Sequence, residues 1–342
     1  MTEAINSMYD WYAAATECYA YLSDVTILAV NQDFDPHFWS SRWFTRGWTL
    51  QELLAPRAVI FFSSDWNEIG TKATLDQPIA EITGISLHYL YRDLRDASVA
   101  QKMSWASMRQ TTRLEDVAYS LLGLFNVNMP LLYGEGSNAF IRLQMEIIRQ
   151  SDDESIFAWS RRAPLHEVAP SSAMFANSPA DFKDSRDIIR AYQFPWSQRT
   201  PYNYTNKGLF FEIRRLESDV DDSLTSQRIN SSGEVMDPQY IVPLNCRREG
   251  LLNTAIVLHL QHLELFRDEN RVIRTYFHKL DSLELKAPKQ QKVLSRMLYV
   301  AGVREFDLLK SSGAMNYMVK TIQAESEPKD RRVLYSTFAG ST

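Results

Sequence analysis

A tryptophan and a glutamate four residues apart are the leading candidates for chemistry in this sequence. Trp48 and Glu52 lie in residues 41–54, SRWFTRGWTLQELL; on a helix, residues at this spacing share a face. An aromatic wall can raise the pKa of a carboxyl by desolvation, or stack on a ligand ring while the carboxylate holds a sugar hydroxyl. The spacing alone favours an ordinary amphipathic helix with a solvated glutamate, and both interpretations stay open.

The adjacent residues Glu115 and Asp116 could supply a catalytic acid and base, but their position in the sequence favours a structural role. Residues 112–115, Thr-Arg-Leu-Glu, match a capping box, in which Thr112 and Glu115 satisfy backbone N–H groups at a helix start. Asp116 would then lie in the first helical turn, where the helix dipole favours negative charge. Arg113 is expected to pair with a carboxylate elsewhere.

Other familiar site patterns have little support. His259 and His262 form an HxxH pair, but on a strand they would point to opposite faces, and no third metal ligand lies nearby. Cys18 has no evident histidine partner and is expected to be a small buried residue. GxGxxG, GxxxxGK[ST] and GxSxG are all absent, so the usual nucleotide loops and the nucleophile elbow lack support. We predict no metal site.

The elements around Trp48 and Glu52 have an α/β pattern. Residues 3–16 carry an apolar stripe at helical spacing. Residues 18–22 and 58–62 are short apolar runs that predict buried strands. Between them, residues 46–54 favour a helix, which Pro56 ends because proline cannot continue the hydrogen-bond ladder. Strand, helix and strand joined by short links are typical of an α/β unit.

Three more helices are predicted in this half of the chain. They cover residues 75–83, a segment starting at Thr112, and a segment that follows the turn Gly134-Glu135-Gly136. The side chains predicted to face the core are Leu114, Val117, Ala118, Leu121, Leu122 and Phe125 in the second helix and Phe140, Leu143, Ile147 and Ile148 in the third.

The apolar period changes to two in the second half. Strands are predicted in residues 207–215, 239–246, 255–263 and 271–277. Residues 160–172 mix charges, prolines and small residues, which is typical of a linker. We therefore predict an α/β and helical domain over 1–159, a linker over 160–172 and a β-rich domain over 173–342, an α+β chain overall.

Composition excludes several classes. The 342 residues are 45% hydrophobic and 23% charged, with 12 Gly and 13 Pro, so the chain is neither collagen-like nor disordered throughout. Residues 1–160 carry 11 basic and 20 acidic side chains, and residues 161–342 carry 26 and 22, formal charges of −9 and +4. Neither half has a clustered basic face, so nucleic acid is not expected as a partner.

The sequence shows no pattern of a transmembrane helix, a signal peptide or a disulfide framework. The apolar runs are far shorter than the roughly 20 residues of a transmembrane helix, and the first residues do not resemble a signal peptide. Two cysteines far apart in sequence do not indicate a disulfide framework. We expect a cytoplasmic protein without a membrane span.

Three blocks of the chain resemble the fungal HET (heterokaryon incompatibility) domain proteins. They are AINSMYDWYAAATECYAYLSDV at 4–25, SRWFTRGWTLQELLAPRAVIFF at 41–62, and residues 109–159, which include RQTTRLEDVAYSLLGLFNVNMPLLYGEG and IFAW. The resemblance implies a role in fungal non-self recognition, in which fusion of different cells triggers programmed cell death. It also implies protein partners or self-association.

The HET domain is similar in outline to TIR domains, which have a flavodoxin-like fold and a glutamate in a W-x-x-x-E-L-like helix that cleaves NAD in active members. Trp48, Glu52 and Leu53 match that pattern. The resemblance therefore implies Glu52 as a candidate catalytic residue, Trp48 as a candidate ring platform and NAD as a substrate, with no cofactor required. A carboxylate can stabilise the oxocarbenium-like state of such a cleavage.

The chain also departs from the family pattern. HET domains normally begin with blocks of the type Y-A-x-L-S-H-T-W-G and W-x-D-T-C-C-I-D, and neither is found here. We therefore expect an incomplete TIR-like or flavodoxin-like parallel sheet in a truncated or degenerate copy. Two hypotheses stay open: a signalling module that acts by protein assembly, and an NAD-cleaving effector that uses Glu52.

Overall fold

The structure is a computed structural model, in which the chain forms two compact units. One unit comprises residues 1–147 and 177–186, and the other comprises residues 148–176 and 187–342. The predicted linker lies, from residue 161 onward, outside the described residues. The described residues are 2–26, 36–91, 93–160, 175–191, 202–205, 208–216, 228–229, 235–236, 239–251, 254–267, 273–286, 293–300, 319–323 and 332–335.

Helices dominate the described part of the first unit. The α-helices are α1 Thr2–Ala14, α2 Pro36–Trp39, α3 Thr49–Leu54, α4 Asp76–Thr83, α5 Leu87–Tyr91, α6 Val99–Ala106, α7 Asp116–Tyr119, α8 Leu122–Phe125 and α9 Asn138–Gln150, whose last turn enters the second unit. Single 3-10 turns are η1 Arg42–Thr45, η2 Leu94–Asp96, η3 Glu154–Phe157 and η4 Pro179–Phe182, of which η3 belongs to the second unit.

A small mixed sheet lies beside these helices. Its strands are β1 Cys18–Tyr21, β2 Val59–Phe62 and β3 Glu68–Thr71, in the order β1-β2-β3. β1 and β2 are parallel, with α3 in the connection between them, as the strand, helix and strand pattern predicted. β3 was not predicted and runs antiparallel to β2. Helix α3 begins at Thr49 rather than residue 46, because Arg46 is extended after the η1 turn.

The two predicted strands are buried on one face only, which corrects the prediction that they are buried strands. Burial alternates along β1, and Ala20 is buried while Tyr19 is 62% exposed. On the buried face, Phe61 of β2 packs in a ring cluster with Phe38, Trp43 and Phe44 at centroid distances of 6.0, 5.4 and 6.2 Å. The opposite face is not covered to the same extent, so its aromatic side chains reach solvent.

The predicted capping box at residues 112–115 is wrong. The helix begins at Asp116, and it is interrupted, since α7 and α8 are separate short helices. The carboxylate of Glu115 instead accepts the backbone N–H groups of Gly134 at 2.7 Å and Gly136 at 3.0 Å. Leu114, predicted in the core stripe, is 68% exposed because it precedes the helix.

The predictions for Arg113, Asp116 and helix α9 can also be compared with the structure. Arg113 places its guanidinium 4.6 Å from the ring centroid of Tyr133, and its charge helps to lower the pKa of the Glu115 carboxyl. Asp116 does lie in the first turn of α7. Helix α9 follows the glycine turn as predicted, and its predicted core residues Phe140, Leu143, Ile147 and Ile148 are buried.

The described part of the second unit is mostly β-structure. Its strands are β4 Ile188–Arg190, β5 Asn203–Thr205, β6 Gly208–Leu216, β7 Arg228–Ile229, β8 Val235–Met236, β9 Gln239–Pro243, β10 Cys246–Arg248, β11 Thr254–Arg267, β12 Ile273–Lys286, β13 Val293–Val300, β14 Val319–Gln323 and β15 Arg332–Tyr335. Eight of them form one sheet in the order β5-β6-β13-β15-β14-β12-β11-β9. All four predicted strand segments contain strands, with shifted bounds.

A buried carboxylate organises the start of this unit. Glu154 is buried in η3 and accepts hydrogen bonds from the backbone N–H of Asn245 at 2.8 Å and from its Nδ2 at 2.9 Å. Two charge-assisted hydrogen bonds are what a buried carboxylate needs to offset the loss of water. This contact joins η3 to the turn between β9 and β10.

Candidate functional site

Helix α3 places Glu52 at the edge of the core. Leu50 and Leu53 are fully buried, which fixes the orientation of this short helix and leaves Glu52 half-buried. Gln51 strengthens the placement, because its Nε2 donates to the backbone oxygen of Ser120 at 2.7 Å. Thr49 closes the first turn, with its hydroxyl 2.6 Å from the Trp43 carbonyl oxygen. The glutamate is therefore held by packing on both sides of it.

Trp43, which the spacing did not single out, is an aromatic neighbour of the Glu52 carboxylate. The indole N–H of Trp43 and the hydroxyl of Tyr12 face the carboxylate as donors. Trp48 is half-buried at the position that precedes α3. The i, i+4 pattern could not find Trp43, because the η1 turn and the extended Arg46 determine where that ring lies. The role of Trp48 as a ring platform stays a prediction.

A buried guanidinium accompanies Glu52. Arg109 donates from Nη1 to the Arg46 carbonyl at 2.8 Å and to the Thr49 hydroxyl at 2.9 Å, and from Nε to the Trp105 carbonyl at 3.3 Å. Its Nη2 is buried and has no hydrogen-bond partner within the part of the chain that the structure describes. Burial lowers the pKa of Arg109 to about 9, and the charge of Glu52 acts in the opposite direction. Arg109 therefore carries its charge at pH 7.

The Glu52 carboxyl holds its proton to a higher pH than usual. Burial raises its pKa above 4.5, while the donors Tyr12 and Trp43 and the charges of Arg46 and Arg109 act in the opposite direction. The pKa of the Tyr12 hydroxyl is raised to about 12, by burial first and by Glu52 second. A carboxyl with a raised pKa beside aromatic donors has the properties of a general acid.

Two more titratable groups lie behind Glu52. Cys18 is buried, as predicted, and burial followed by the charge of Glu52 raises the pKa of its thiol to about 11. Lys72 is also buried, and its Nζ donates to the carbonyl oxygens of Leu53 at 2.8 Å and Pro56 at 3.0 Å. Burial lowers the pKa of Lys72 to about 8. The thiol is therefore protonated and unreactive at neutral pH.

The position of this cluster in the sheet differs from a usual ligand site. Cys18, whose thiol interacts with Glu52, is the first residue of β1. Ligands of open α/β sheets bind beyond the carboxyl ends of the strands. Glu52 thus lies toward the opposite end, where the charge of Arg109 acts on it.

A cleft of about 870 Å³ lies elsewhere in the same unit, and neither Glu52 nor Trp48 lines it. Lys72 does, together with residues of α1, α5 and α8. Its charged lining residues are Asp10, Arg57, Lys72, Asp93, Arg95 and Lys102. None of these residues was identified from the sequence, because they come from several elements that only tertiary packing brings together.

The described residues contain neither a candidate metal-binding cluster nor a membrane-spanning helix. Among these residues, no three histidine, cysteine, aspartate or glutamate side chains come together in a way that could hold a metal ion. Within the same ranges, no helix has the length and apolar character needed to cross a membrane.

Comparison with known proteins gives one relative and one family model. The chain is 46% identical over 157 residues to the vegetative incompatibility protein HET-E-1 of Podospora anserina, an alignment that covers 44% of the chain. The aligned part spans 12% of that relative. Residues 138–249 match a domain of unknown function, DUF8212, a range that contains the predicted linker. No solved structure matches the chain. The chain is thus related in sequence to a fungal vegetative incompatibility protein.

Proposed function

We propose that this chain acts in fungal heterokaryon incompatibility and triggers cell death from the cytoplasm by assembling with protein partners. The observation that carries the proposal is the 46% identity over 157 residues to the vegetative incompatibility protein HET-E-1. The three blocks that resemble HET domains support the same role, since they extend over most of residues 1–159.

Two features of the structure favour assembly over catalysis as the mechanism. Glu52 interacts with Arg109, Tyr12 and Trp43, and it does not line the 870 Å³ cleft of the first unit. One face of the β1-β2-β3 sheet, in contrast, carries exposed aromatic side chains, where Tyr19 and Tyr21 are 62% and 40% exposed. Large exposed apolar patches mark interaction surfaces in soluble proteins.

Induced expression of the full chain in a filamentous fungus tests the proposal. We expect loss of viability with the wild-type chain and with Glu52→Gln, which keeps the shape of the side chain. Leu122→Asp places a charge at a fully buried position of α8 and should abolish killing by unfolding this region. Full viability with normally accumulating wild-type protein would reject the proposal.

The second candidate function is NAD cleavage with Glu52 as the catalytic carboxyl. The observation in its favour is the half-buried carboxyl with a raised pKa beside the indole of Trp43. The test is release of nicotinamide by the purified chain, with Glu52→Gln as the variant and Glu68→Gln, at an exposed position of β3, as the control. Loss of nicotinamide release in Glu52→Gln but not in Glu68→Gln would favour catalysis by Glu52. Equal release by the two variants would exclude Glu52 as the catalytic residue.

A further inference from the structure

One face of the parallel strand pair is an exposed aromatic surface. Tyr19 and Tyr21 of β1 are opposite Ile60 and Phe62 of β2, and residues paired in this way lie on the same side of a sheet. The rings contact one another: Tyr19 meets Phe62 edge to face at 5.6 Å, and Tyr21 stacks on Trp66 at 4.7 Å. We call Tyr19, Tyr21, Phe62 and Trp66 the aromatic face.

One edge of β1 beside this face is open within the described residues. β1 is the first strand in the sheet order, so one of its edges has no neighbouring strand within the described residues. The N–H groups of Cys18 and Leu22 donate to Ala58 and Phe62 on the β2 side. Because backbone groups alternate along a strand, Tyr19 and Tyr21 direct theirs to the open edge. Parallel strands with an open face and an open edge are uncommon in folded domains.

On this face, Trp66 has a backbone conformation that tryptophan rarely adopts. Its φ is +60°, in the left-handed region that favours glycine, and the side chain is nevertheless 65% exposed. Ser63 accepts the Trp66 backbone N–H at 3.0 Å, and the Tyr21 hydroxyl donates to the Ser64 carbonyl at 3.0 Å. Such strained residues persist where the surrounding structure fixes them, and they are concentrated at functional positions.

Within the strands of this sheet and their turn the charged residues have one sign, and Arg57 and Lys72 lie just outside these ranges in sequence. Residues 17–21 and 59–71, which form β1, β2, β3 and their turn, contain Glu17, Asp65 and Glu68 and no lysine, arginine or histidine. Glu17 accepts a hydrogen bond from the Tyr19 hydroxyl at 3.1 Å, and Glu68 is paired with Phe62 across the strands. Aromatic rings with carboxylates at their border attract cationic side chains both by charge and by cation–π contact.

We propose that the aromatic face and the open edge of β1 bind an extended segment of another protein in which apolar residues alternate with lysine or arginine. The segment adds as a strand beside β1 and pairs with the backbone of Tyr19 and Tyr21. Its basic side chains lie on the aromatic face and reach Glu17 and Glu68, while its apolar side chains extend the buried face beside Ala20 and Leu22.

A second copy of this chain does not fit the surface as well. Two aromatic faces brought together would place the carboxylates of Glu17, Asp65 and Glu68 of each copy near those of the other. Like charges in contact cost binding energy. A basic segment instead balances these charges, so the occupant is another protein. The inference deepens the proposed function and rests on it for its biological meaning, but its binding test does not depend on cell killing.

The test measures binding of two labelled peptides to the full chain by fluorescence anisotropy. One peptide alternates valine with lysine, and the other alternates valine with glutamate. We expect the lysine peptide to bind at least about tenfold more tightly, with an affinity that falls as salt increases. Trp66→Gly should weaken this binding about tenfold or more, because it removes the ring while glycine accepts the φ of +60°. Glu68→Lys should reduce the preference for the lysine peptide.

Trp11→Ala is the matched control, since Trp11 is 59% exposed and belongs to α1 rather than to the β1-β2-β3 sheet, so its loss should leave peptide binding unchanged. Equal binding of the two peptides, or unchanged binding by a folded Trp66→Gly variant, would overturn the proposal. Sedimentation of the wild-type chain provides a further check. A dimer that Trp66→Gly dissociates would show that a second copy occupies the face, and would also overturn it.

Discussion

The indole of Trp66 stacks on the phenol ring of Tyr21, with ring centroids 4.7 Å apart and ring planes 24° from parallel. Tyr21 ends β1, and Trp66 lies in the turn that follows β2, so the stack joins two parts of the sheet on its exposed side. A tryptophan with a φ of +60° needs such a contact to offset its backbone strain. The stack therefore positions a large exposed ring at the cost of local strain.

Replacing Trp66 by glycine should change stability little. The stack contributes about 0.5–1.5 kcal/mol, and glycine relieves about 1–2 kcal/mol of strain at this φ, so the two effects offset each other. We expect a free energy of unfolding within about 1 kcal/mol of the wild type in urea titrations followed by circular dichroism. Phe61→Ala, at a fully buried position of the same sheet, should cost about 3–5 kcal/mol. Similar losses for both variants would contradict this account of Trp66.

Lys72 should make stability depend on pH in the alkaline range. Burial lowers its pKa in the folded chain from 10.5 to about 8, so between these values the unfolded chain binds more protons at this site. The free energy of unfolding must then rise with pH across this window. Relative to Lys72→Met, the wild type should gain on the order of 3 kcal/mol between pH 8 and 10.5, as a pH series of urea titrations would show. A constant difference would contradict the burial of a charged Lys72.

Glu52 should have the opposite dependence on pH in the acidic range. Its folded pKa is raised by burial, so above pH 4.5 the unfolded chain loses this proton first. The stability that Glu52 contributes is present below pH 4.5 and is lost as pH rises through the folded pKa. The wild type should therefore lose stability relative to Glu52→Gln as pH increases from 4.5 to neutral, in the same kind of titration.

Glu115→Gln is the control for this experiment. The backbone N–H groups of Glu115 itself, Gly134 and Gly136 lower the pKa of the Glu115 carboxyl. Its stabilising contribution is present above pH 4.5 and is lost as pH falls through the folded pKa. The wild type should gain unfolding free energy relative to Glu115→Gln as pH rises to 4.5. If the difference from wild type changed with pH in the same way for Glu52→Gln and Glu115→Gln, the two carboxyls would not have the different environments described here.

Gly123 should tolerate no side chain, because α1 packs directly against α8. A Cβ added at Gly123 would collide with Cβ of Tyr9, and neither atom can rotate away. Gly123→Ala should therefore cost about 1–3 kcal/mol or more of unfolding free energy, through displacement of α1. Gly134→Ala measures backbone strain without crowding, since the φ of Gly134 is +103° and nothing lies within 4 Å of a Cβ at that glycine. A loss below about 1 kcal/mol for Gly123→Ala would contradict the tight contact.

The sequence predicted the elements whose signals are local. The apolar runs at 18–22 and 58–62 became the parallel strands, and the stripe of Phe140, Leu143, Ile147 and Ile148 became the buried face of α9. These patterns depend on periods of two or 3.6 residues, which the backbone geometry fixes. That only one side of β1 is buried was not predictable, because it depends on which elements cover the sheet.

The environment of Glu52 could not be predicted from spacing. Tyr12 belongs to α1, Trp43 to η1, and Arg109 follows α6, so they meet only through tertiary packing. The capping box at Thr112 failed for a related reason. Glu115 finds its N–H partners at Gly134 and Gly136, on a turn remote in sequence, and this contact replaces the local cap.

The most direct test of the proposed incompatibility role counts cells that lose membrane integrity after induced expression of the full chain, by uptake of an excluded dye. The account predicts dye uptake with the wild type and with Glu52→Gln, and no uptake with Leu53→Asp, which charges a fully buried position of α3. Wild-type chain that accumulates in folded form without dye uptake above the empty vector would contradict the role in cell death.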